Sequence, residues 1–280
     1  MIHRRGFLLA SGLALAGCSR RAVPDAEPPE RLALLVGVTK YAPGTPWKPL
    51  SGPVNDVELW ADLLRTRFGF ADEGITRLTE DATRPTRAAI VAGFQKLAED
   101  ARPGAQVVVL LSGHGTQQPD QVPPDPEDPE PNGMDQVFLP ADAGAPDLAA
   151  RTIPNGIIDD EIRVWLRAIA RAGARVWLVC DCCHAGTMLR GDEDEDGVRG
   201  FPASKVWPAS VIEEAKRNAA PAGLRGAGKS PVKIDGERGI VAFYACRAEE
   251  RTGEAFFSGL DGDRKLGIFT QALCGLMARG

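Results

Sequence analysis

The chain has 280 residues, with 33 basic against 38 acidic side chains and a formal net charge of −5. That length suits one α/β domain with appendages, hiding roughly 70 to 75% of its unfolded surface on folding. The charge supplies neither a basic face for nucleic acid nor a disordered polyelectrolyte, and six cysteines (18, 180, 182, 183, 246 and 274) are too few and too clustered for a disulfide framework.

Met1 to Arg5 is basic, and Phe7 to Ala16 is an apolar run too short to span a bilayer stably. Leu15-Ala16-Gly17-Cys18 resembles the lipobox of bacterial lipoproteins, and His3-Arg4-Arg5-Gly6-Phe7-Leu8 resembles a twin-arginine export signal. These resemblances imply a signal peptide over 1–17, a lipid anchor on Cys18, and export to the cell envelope, facing the periplasm or the outer surface. Residues 18–30, with Pro24, Pro28 and Pro29, then form a tether to a domain over 31–280.

Leu32 to Val38 reads as a first buried strand, followed by a loop rich in proline and glycine from Ala42 to Pro53. Asn55-Asp56 sits where a helix would be capped, and Val57, Leu59, Trp60, Leu63, Leu64 and Phe68 recur after it at helical spacing. Ile75 to Thr79 predicts a short strand, Arg84 to Ala101 a second amphipathic helix, and Gln106 to Gly115 an apolar strand ending abruptly in the turn Ser112-Gly113-His114-Gly115. Pro119 to Pro131, acidic and proline-rich, predicts a surface loop that cannot enter a core. A short strand within Gly133 to Asp142 and a helix over Asp159 to Ala172 follow.

Arg175 to Gly186 is the stretch that the rest is organised around. Val176 to Val179 suits a strand covered on both faces of a parallel sheet, and it delivers Asp181, Cys182, Cys183 and His184 to the strand's carboxyl end. Open α/β sheets bind ligands at that end. Thr187 to Arg238 reads as a long loop of Gly, Pro, Ala and charge, Gly239 to Cys246 as a last strand, and Gly267 to Met277 as a terminal helix. Alternating strands and helices predict a mostly parallel central sheet flanked by helices on both faces.

A cysteine nucleophile needs a base or a neighbour that lowers its pKa, because the thiolate is the reactive form. The histidines are His3, in the signal, His184, adjacent to Cys183, and His114. This proposes a dyad of His114 with a cysteine of the 182/183 pair, each just past the end of a buried strand. Zinc held by Cys182, Cys183, His184 and His114 is a rival, although adjacent cysteines lack the usual C-x₂-C spacing. Cys180, Cys246 and Cys274 read as inert core residues.

Together Ser112-Gly113-His114-Gly115 and Asp181-Cys182-Cys183-His184-Ala185-Gly186 resemble the catalytic turns of caspase-like cysteine peptidases, more closely metacaspases than animal caspases. Residues from Arg31 to the end share the likeness, including the LALLVGV strand, the SGPVNDVELW block and a closing GIFTQAL. The resemblance implies a caspase-like (caspase-hemoglobinase) fold with a large part over about 31–188, a flexible linker over about 189–238 and a small part over about 239–280. It implies a cysteine endopeptidase with Cys183 as nucleophile, His114 as general base or acid, and the backbone amides of Gly115 and Cys183 as oxyanion hole. Asp56, Ser112 and Asp181 match a specificity pocket whose carboxylates explain cleavage after Arg or Lys, since a desolvated cation needs fixed counter-charge.

No cofactor is required for that chemistry. Asp135, Asp159 and Asp160 match a calcium site that would make Ca²⁺ an activator; the family's fourth acidic ligand falls at Arg190 here, with Asp192 and Glu193 just beyond. Arg190, Arg199, Lys205, Lys216 and Arg217 are candidate self-cleavage sites in the 187–238 loop. The expected partners are a peptide or protein substrate with a basic residue before the cut and a membrane reached through the lipid anchor, with the protein working as a monomer. The alternative is a catalytically silent caspase-fold binding or scaffold protein at the cell envelope.

Overall fold

The computed structural model describes residues 30–120, 130, 132–182, 197–219, 239–246, 252–259 and 262–279. The expected signal peptide and tether up to residue 29, the lipidation site Cys18, the nucleophile Cys183, His184, Arg190, Asp192 and Glu193 lie outside the described residues.

Five parallel strands build the central sheet: β1 (Arg31–Gly37), β2 (Ile75–Leu78), β3 (Gln106–Ser112), β7 (Arg175–Asp181) and β8 (Ile240–Tyr244), in the spatial order β2-β1-β3-β7-β8. The three central strands read as unbroken apolar runs because both of their faces are covered. Leu34, Val109 and Leu178 point to one side, where α2 (Arg87–Asp100) and α3 (Asp159–Arg171) bury Ile90, Phe94, Ile162, Leu166 and Ile169. Leu35, Leu110 and Val179 point to the other, against Trp60 and Leu64 of α1 (Gly52–Phe68) and Cys274 of α6 (Ile268–Arg279). This is the parallel sheet with helices on both faces that the sequence predicts.

Register carries the site. Gly37 pairs with Ser112 and Ser112 with Asp181, so the carboxyl ends of β1, β3 and β7 lie in line.

Several expectations are corrected. Asn55 and Asp56 do not cap α1: the helix starts at Gly52 after Ser51, with proline in its first turn, where a missing N–H costs nothing. Asp56 therefore stands inside the helix, fully buried. Of the acidic stretch expected as a surface loop over Pro119 to Pro131, Pro119 ends a strand, β4 (Gly115–Pro119), and Glu130 is buried, while 121–129 and 131 lie outside the described residues; β4 pairs with β5 (Met134–Phe138) and through it with β6 (Ile157–Ile158).

Part of the expected linker is ordered. Within it, α4 (Ala203–Val206) and α5 (Ala209–Asn218) pack Ala203, Trp207 and Ala215 against Met134, Val137 and Leu139. The indole N–H of Trp207 donates to the Gln117 carbonyl at 2.7 Å. A hairpin missed in the sequence, β9 (Glu254–Gly259) and β10 (Gly262–Gly267), leads directly into α6. Cys180, Cys246 and Cys274 are buried free thiols, as expected of core residues. Among the described residues no helix is long and apolar enough to cross a membrane.

Candidate active site

The turn after β3 places His114 with 2% of its surface exposed, between the rings of Tyr41 (5.1 Å) and Phe201 (4.8 Å). Its Nε2 lies 2.8 Å from the carbonyl oxygen of Lys48. A carbonyl only accepts, so Nε2 carries the proton and Nδ1 is left as the basic atom. Nδ1 is buried and, among the described residues, has no hydrogen-bond partner. Burial pulls the imidazole pKa down to about 4, against the Lys48 hydrogen bond, and the Arg199 charge pulls the same way. The ring is thus neutral at pH 7. The Tyr41 hydroxyl accepts from the His114 backbone N–H at 2.8 Å and holds the turn in place.

β7 brings Asp181 beside Ser112 and is followed by Cys182, which is buried in the core; Cys183 lies outside the described residues.

Asp56, Ser112 and Asp181, expected to line one pocket, come together with no exposed surface, and the pocket is filled. The guanidinium of Arg199, itself fully buried, lies among them. Nη2 is 2.7 Å from Asp56 Oδ2, and Nη1 is 3.2 Å from Asp181 Oδ2 and donates to Ser112 Oγ at 3.0 Å. Ser112 Oγ in turn donates to Asp56 Oδ2 at 2.7 Å. A third carboxylate closes the set: Glu254 Oε2 is 3.6 Å from Arg199 Nη2.

Each carboxylate has its own anchors. The Gly267 N–H donates to Asp56 at 2.8 Å, and the backbone N–H and hydroxyl of Thr270 donate to Asp181 at 3.0 and 2.6 Å. These are orphan donors at the start of α6, satisfied by acids from other elements. Glu254 accepts from the N–H groups of Ser51 and Gly52 and pairs with Lys265 at 3.0 Å. Burial acts to raise its pKa, yet those partners together with Arg199 hold it below the usual range. For Asp56 burial wins, raising it to about 6 against the pull of Arg199. Burial works against the guanidinium, but the Asp181 and Asp56 charges more than offset it and Arg199 is held charged.

Two glycines make the room. A Cβ on Gly267 would stand 2.1 Å from Asp181 Oδ2 and 2.5 Å from Arg199 Nη1, and one on Gly52 2.5 Å from Arg199 Nη2. Any side chain at either position would occupy the space of the cation.

The backbone around Arg199 is held as firmly as its side chain. Its N–H donates to the Thr252 carbonyl at 3.1 Å, the Glu254 N–H donates to the Gly197 carbonyl at 2.9 Å, and Val198 bridges antiparallel to Gly253. The Gly115 N–H donates to the Arg199 carbonyl at 3.2 Å. That amide is the expected oxyanion donor, so the carbonyl of a buried basic residue lies against it. The arrangement is an extended segment laid on a strand, with a cation in an acidic pocket and its carbonyl beside the turn that carries His114.

Sequence reasoning names Asp56, Ser112, Asp181, His114 and Gly115, and the structure gathers them. It names Arg199 only among five candidate cut sites; Lys205, Lys216 and Arg217 are exposed on α4 and α5. It misses Glu254, Gly267, Thr270, Tyr41 and the Lys48 carbonyl. The GIFTQAL block was the one available signal for Gly267 and Thr270.

Away from this pocket, carboxylate oxygens of Glu130, Asp135 and Asp159 lie within 4.8 Å of one another. Asp160, from the expected calcium set, is next to them with its carboxylate 2.7 Å from Arg163 Nη2. Burial pushes the Asp135 pKa up to about 9, helped by the charges of Asp120, Asp160 and Glu130. Clustered hard oxygens that repel one another fit a divalent cation such as Ca²⁺.

A family model described as metacaspase, peptidase C14 domain, matches residues 31–191. Metacaspase-1B of Aspergillus fumigatus is 34% identical over 163 residues, covering 57% of this chain and 36% of that protein. Metacaspase-7 of Arabidopsis thaliana is 33% identical over 168 residues, 59% of this chain and 37% of that protein. The match thus spans little more than a third of these relatives' length. The crystal structure of protein GSU0716 from Geobacter sulfurreducens superposes with a TM-score of 0.58 over 90% of this chain and 83% of that one; at 24% identity the likeness is one of fold.

Removing one partner of a buried ion pair strands the other charge, at a cost of about 3–5 kcal/mol. Arg199→Gln leaves three buried carboxylates facing one another and is expected to lower unfolding stability by about that much in urea titrations. A loss below about 1 kcal/mol, the scale of exposed pairs, contradicts this reading of the pocket.

Proposed function

The chain belongs to the metacaspase family of peptidase C14 domains, and on that premise we propose that it is a caspase-like cysteine endopeptidase that cuts after arginine or lysine. The observation that carries the proposal is Arg199: a basic side chain in a pocket of three carboxylates, with its carbonyl 3.2 Å from the Gly115 amide.

His114 Nδ1 takes the proton of the Cys183 thiol, and the thiolate adds to the carbonyl carbon of the basic residue. The oxygen that becomes negative is the one to which Gly115 donates, so the hydrogen bond strengthens as charge develops. His114 then passes its proton to the leaving nitrogen. The C–N bond breaks, a thioester forms, and water activated by the same nitrogen releases the acid. The Lys48 carbonyl keeps Nε2 protonated throughout, so every proton that moves does so at Nδ1. No cofactor enters any step.

The same pose supports self-processing at the Arg199–Gly200 bond. While Arg199 fills the pocket, another basic side chain cannot enter, so the uncut chain is self-blocked. The silent-scaffold alternative finds less support, since a base, an oxyanion donor and a charged pocket have no joint use in a binding module. Ca²⁺ as activator is supported by the Glu130, Asp135 and Asp159 cluster, where a bound cation would neutralise repelling carboxylates. Gly133, in the same segment, would place a Cβ 2.1 Å from the Ala215 carbonyl of α5, so this segment lies directly against the ordered part of the linker. Export and lipid anchoring at Cys18, and action as a monomer on peptide or protein substrates, complete the reading; the lipobox-like LAGC sequence supports the anchor.

The direct test is cleavage of fluorogenic peptides ending in Arg, Lys or Asp by the full chain and by Cys183→Ala. Arg and Lys peptides are expected to be cut and Asp peptides not, with activity lost in the variant; equal cutting by both proteins would overturn the assignment. The acid limb has a definite place. Asp56, raised to about 6, loses its charge as pH falls through that value, whereas His114, lowered to about 4, is still neutral there. Arg199 lowers the Asp56 pKa and has left the pocket in the form that takes a peptide, so the kcat/KM for Arg peptides is expected to show an acid limb no lower than about pH 6, and a limb only near pH 4 would contradict the role of Asp56. Millimolar Ca²⁺ is expected to raise the melting temperature of the full chain, and to raise it less in Asp135→Asn; no shift with the wild-type chain would remove calcium from the account.

A further inference from the structure

The segment that delivers Arg199 to the acidic pocket does not stop at the bond proposed for cleavage. Beyond it, Gly200 bridges in parallel to Gly115, and the Phe201 N–H donates to the Gly115 carbonyl at 3.0 Å. The Thr116 hydroxyl donates to the Phe201 carbonyl at 2.7 Å. One short stretch of β4 thus grips the chain on both sides of the bond: the Gly115 N–H before it, the Gly115 carbonyl and Thr116 Oγ1 after it.

The ring of Phe201 enters an aromatic cleft. Its centroid is 5.1 Å from that of Trp47 at an interplanar angle of 65°, and 4.8 Å from that of His114 at 62°. Both are edge-to-face contacts, the geometry that aromatic rings favour. Trp47 is only 5% exposed, and its indole N–H is fixed to the Gly144 carbonyl at 3.0 Å, so the cleft is built by the fold and not by Phe201 alone. The contact also lies directly on the His114 ring, so whatever fills the cleft packs against the proposed base.

We propose that Trp47, His114 and Thr116 form a substrate subsite on the leaving-group side of the cut, which selects peptides with an aromatic residue at the second position after the basic one. The inference rests on the reading of the site as a peptidase that cuts after basic residues. The cut between Arg199 and Gly200 puts Arg199 and Phe201 beside two new chain ends, each released to leave its pocket. A peptide entering in trans meets both vacant, with the same backbone groups on β4 to receive it.

The test uses the full chain and a set of internally quenched peptides that share Gly-Val-Arg-Gly and differ only in the next residue: Phe, Trp, Leu, Ala or Asp. The expected order is Phe and Trp fastest, with Ala about tenfold lower in kcat/KM, the scale of one buried aromatic contact, and Asp lowest. Trp47→Leu is expected to compress the ratio between the Phe and Ala peptides, a ratio that a general loss of folded protein would leave unchanged. Cleavage of all five at the same rate overturns the subsite while leaving the peptidase reading intact. Cleavage of none overturns both.

Discussion

One guanidinium holds the catalytic face of this protein together. Arg199 is fully buried, and its charge is set among carboxylates from α1, the end of β7 and the start of β9. Burying three acids and one cation is favourable only if nearly every lone pair is met by a donor. The fold meets much of this demand by aiming backbone donors inward: Gly267 and Thr270 at the start of α6, Ser51 and Gly52 at the start of α1; among the described residues Asp181 Oδ1 and Arg199 Nε still have no hydrogen-bond partner. Those helix starts are fixed in turn by packing on the sheet, where Trp60, Leu64 and Cys274 lie against Leu35, Leu110 and Val179. The apolar core thus supplies the rigidity that makes a buried polar site tolerable.

The same geometry separates two electrostatic tasks that stand side by side. The proposed base His114 is kept uncharged by burial between Tyr41 and Phe201. The acidic pocket must stay charged to attract a cation, and its hydrogen bonds oppose the burial that would protonate it. For Glu254 the hydrogen bonds and nearby cations prevail; for Asp56 burial prevails in part. Asp56 is therefore the weaker electrostatic member of the set.

The parallel sheet was legible because each central strand is an unbroken apolar run, and the site because the runs of β3 and β7 both end in polar, chemistry-bearing residues. Parallel neighbours in register then had to bring Ser112 to Asp181. The start of α1 was misread because Asp56, an acid near a helix start, has the local look of a cap; its partners are far along the chain, at Ser112 and Gly267. Glu254 gave no local sign at all, and the GIFTQAL block marked Thr270 only as part of a closing helix; the importance of both comes from tertiary contact. The helices in the linker were hidden by composition: α4 and α5 are short, and they are held by Trp207, Ala203 and Ala215 packing against Met134, Val137 and Leu139.

The account turns on whether the segment around Arg199 lies in the site as a substrate does. Intact-mass measurement of the purified full chain and of Cys183→Ala, after incubation with Ca²⁺, tests this directly. The wild-type chain is expected to yield a fragment whose new amino terminus is Gly200, and the variant to remain whole. A wild-type chain that remains whole while cutting Arg peptides, or one that breaks elsewhere in the linker and never after Arg199, would contradict it.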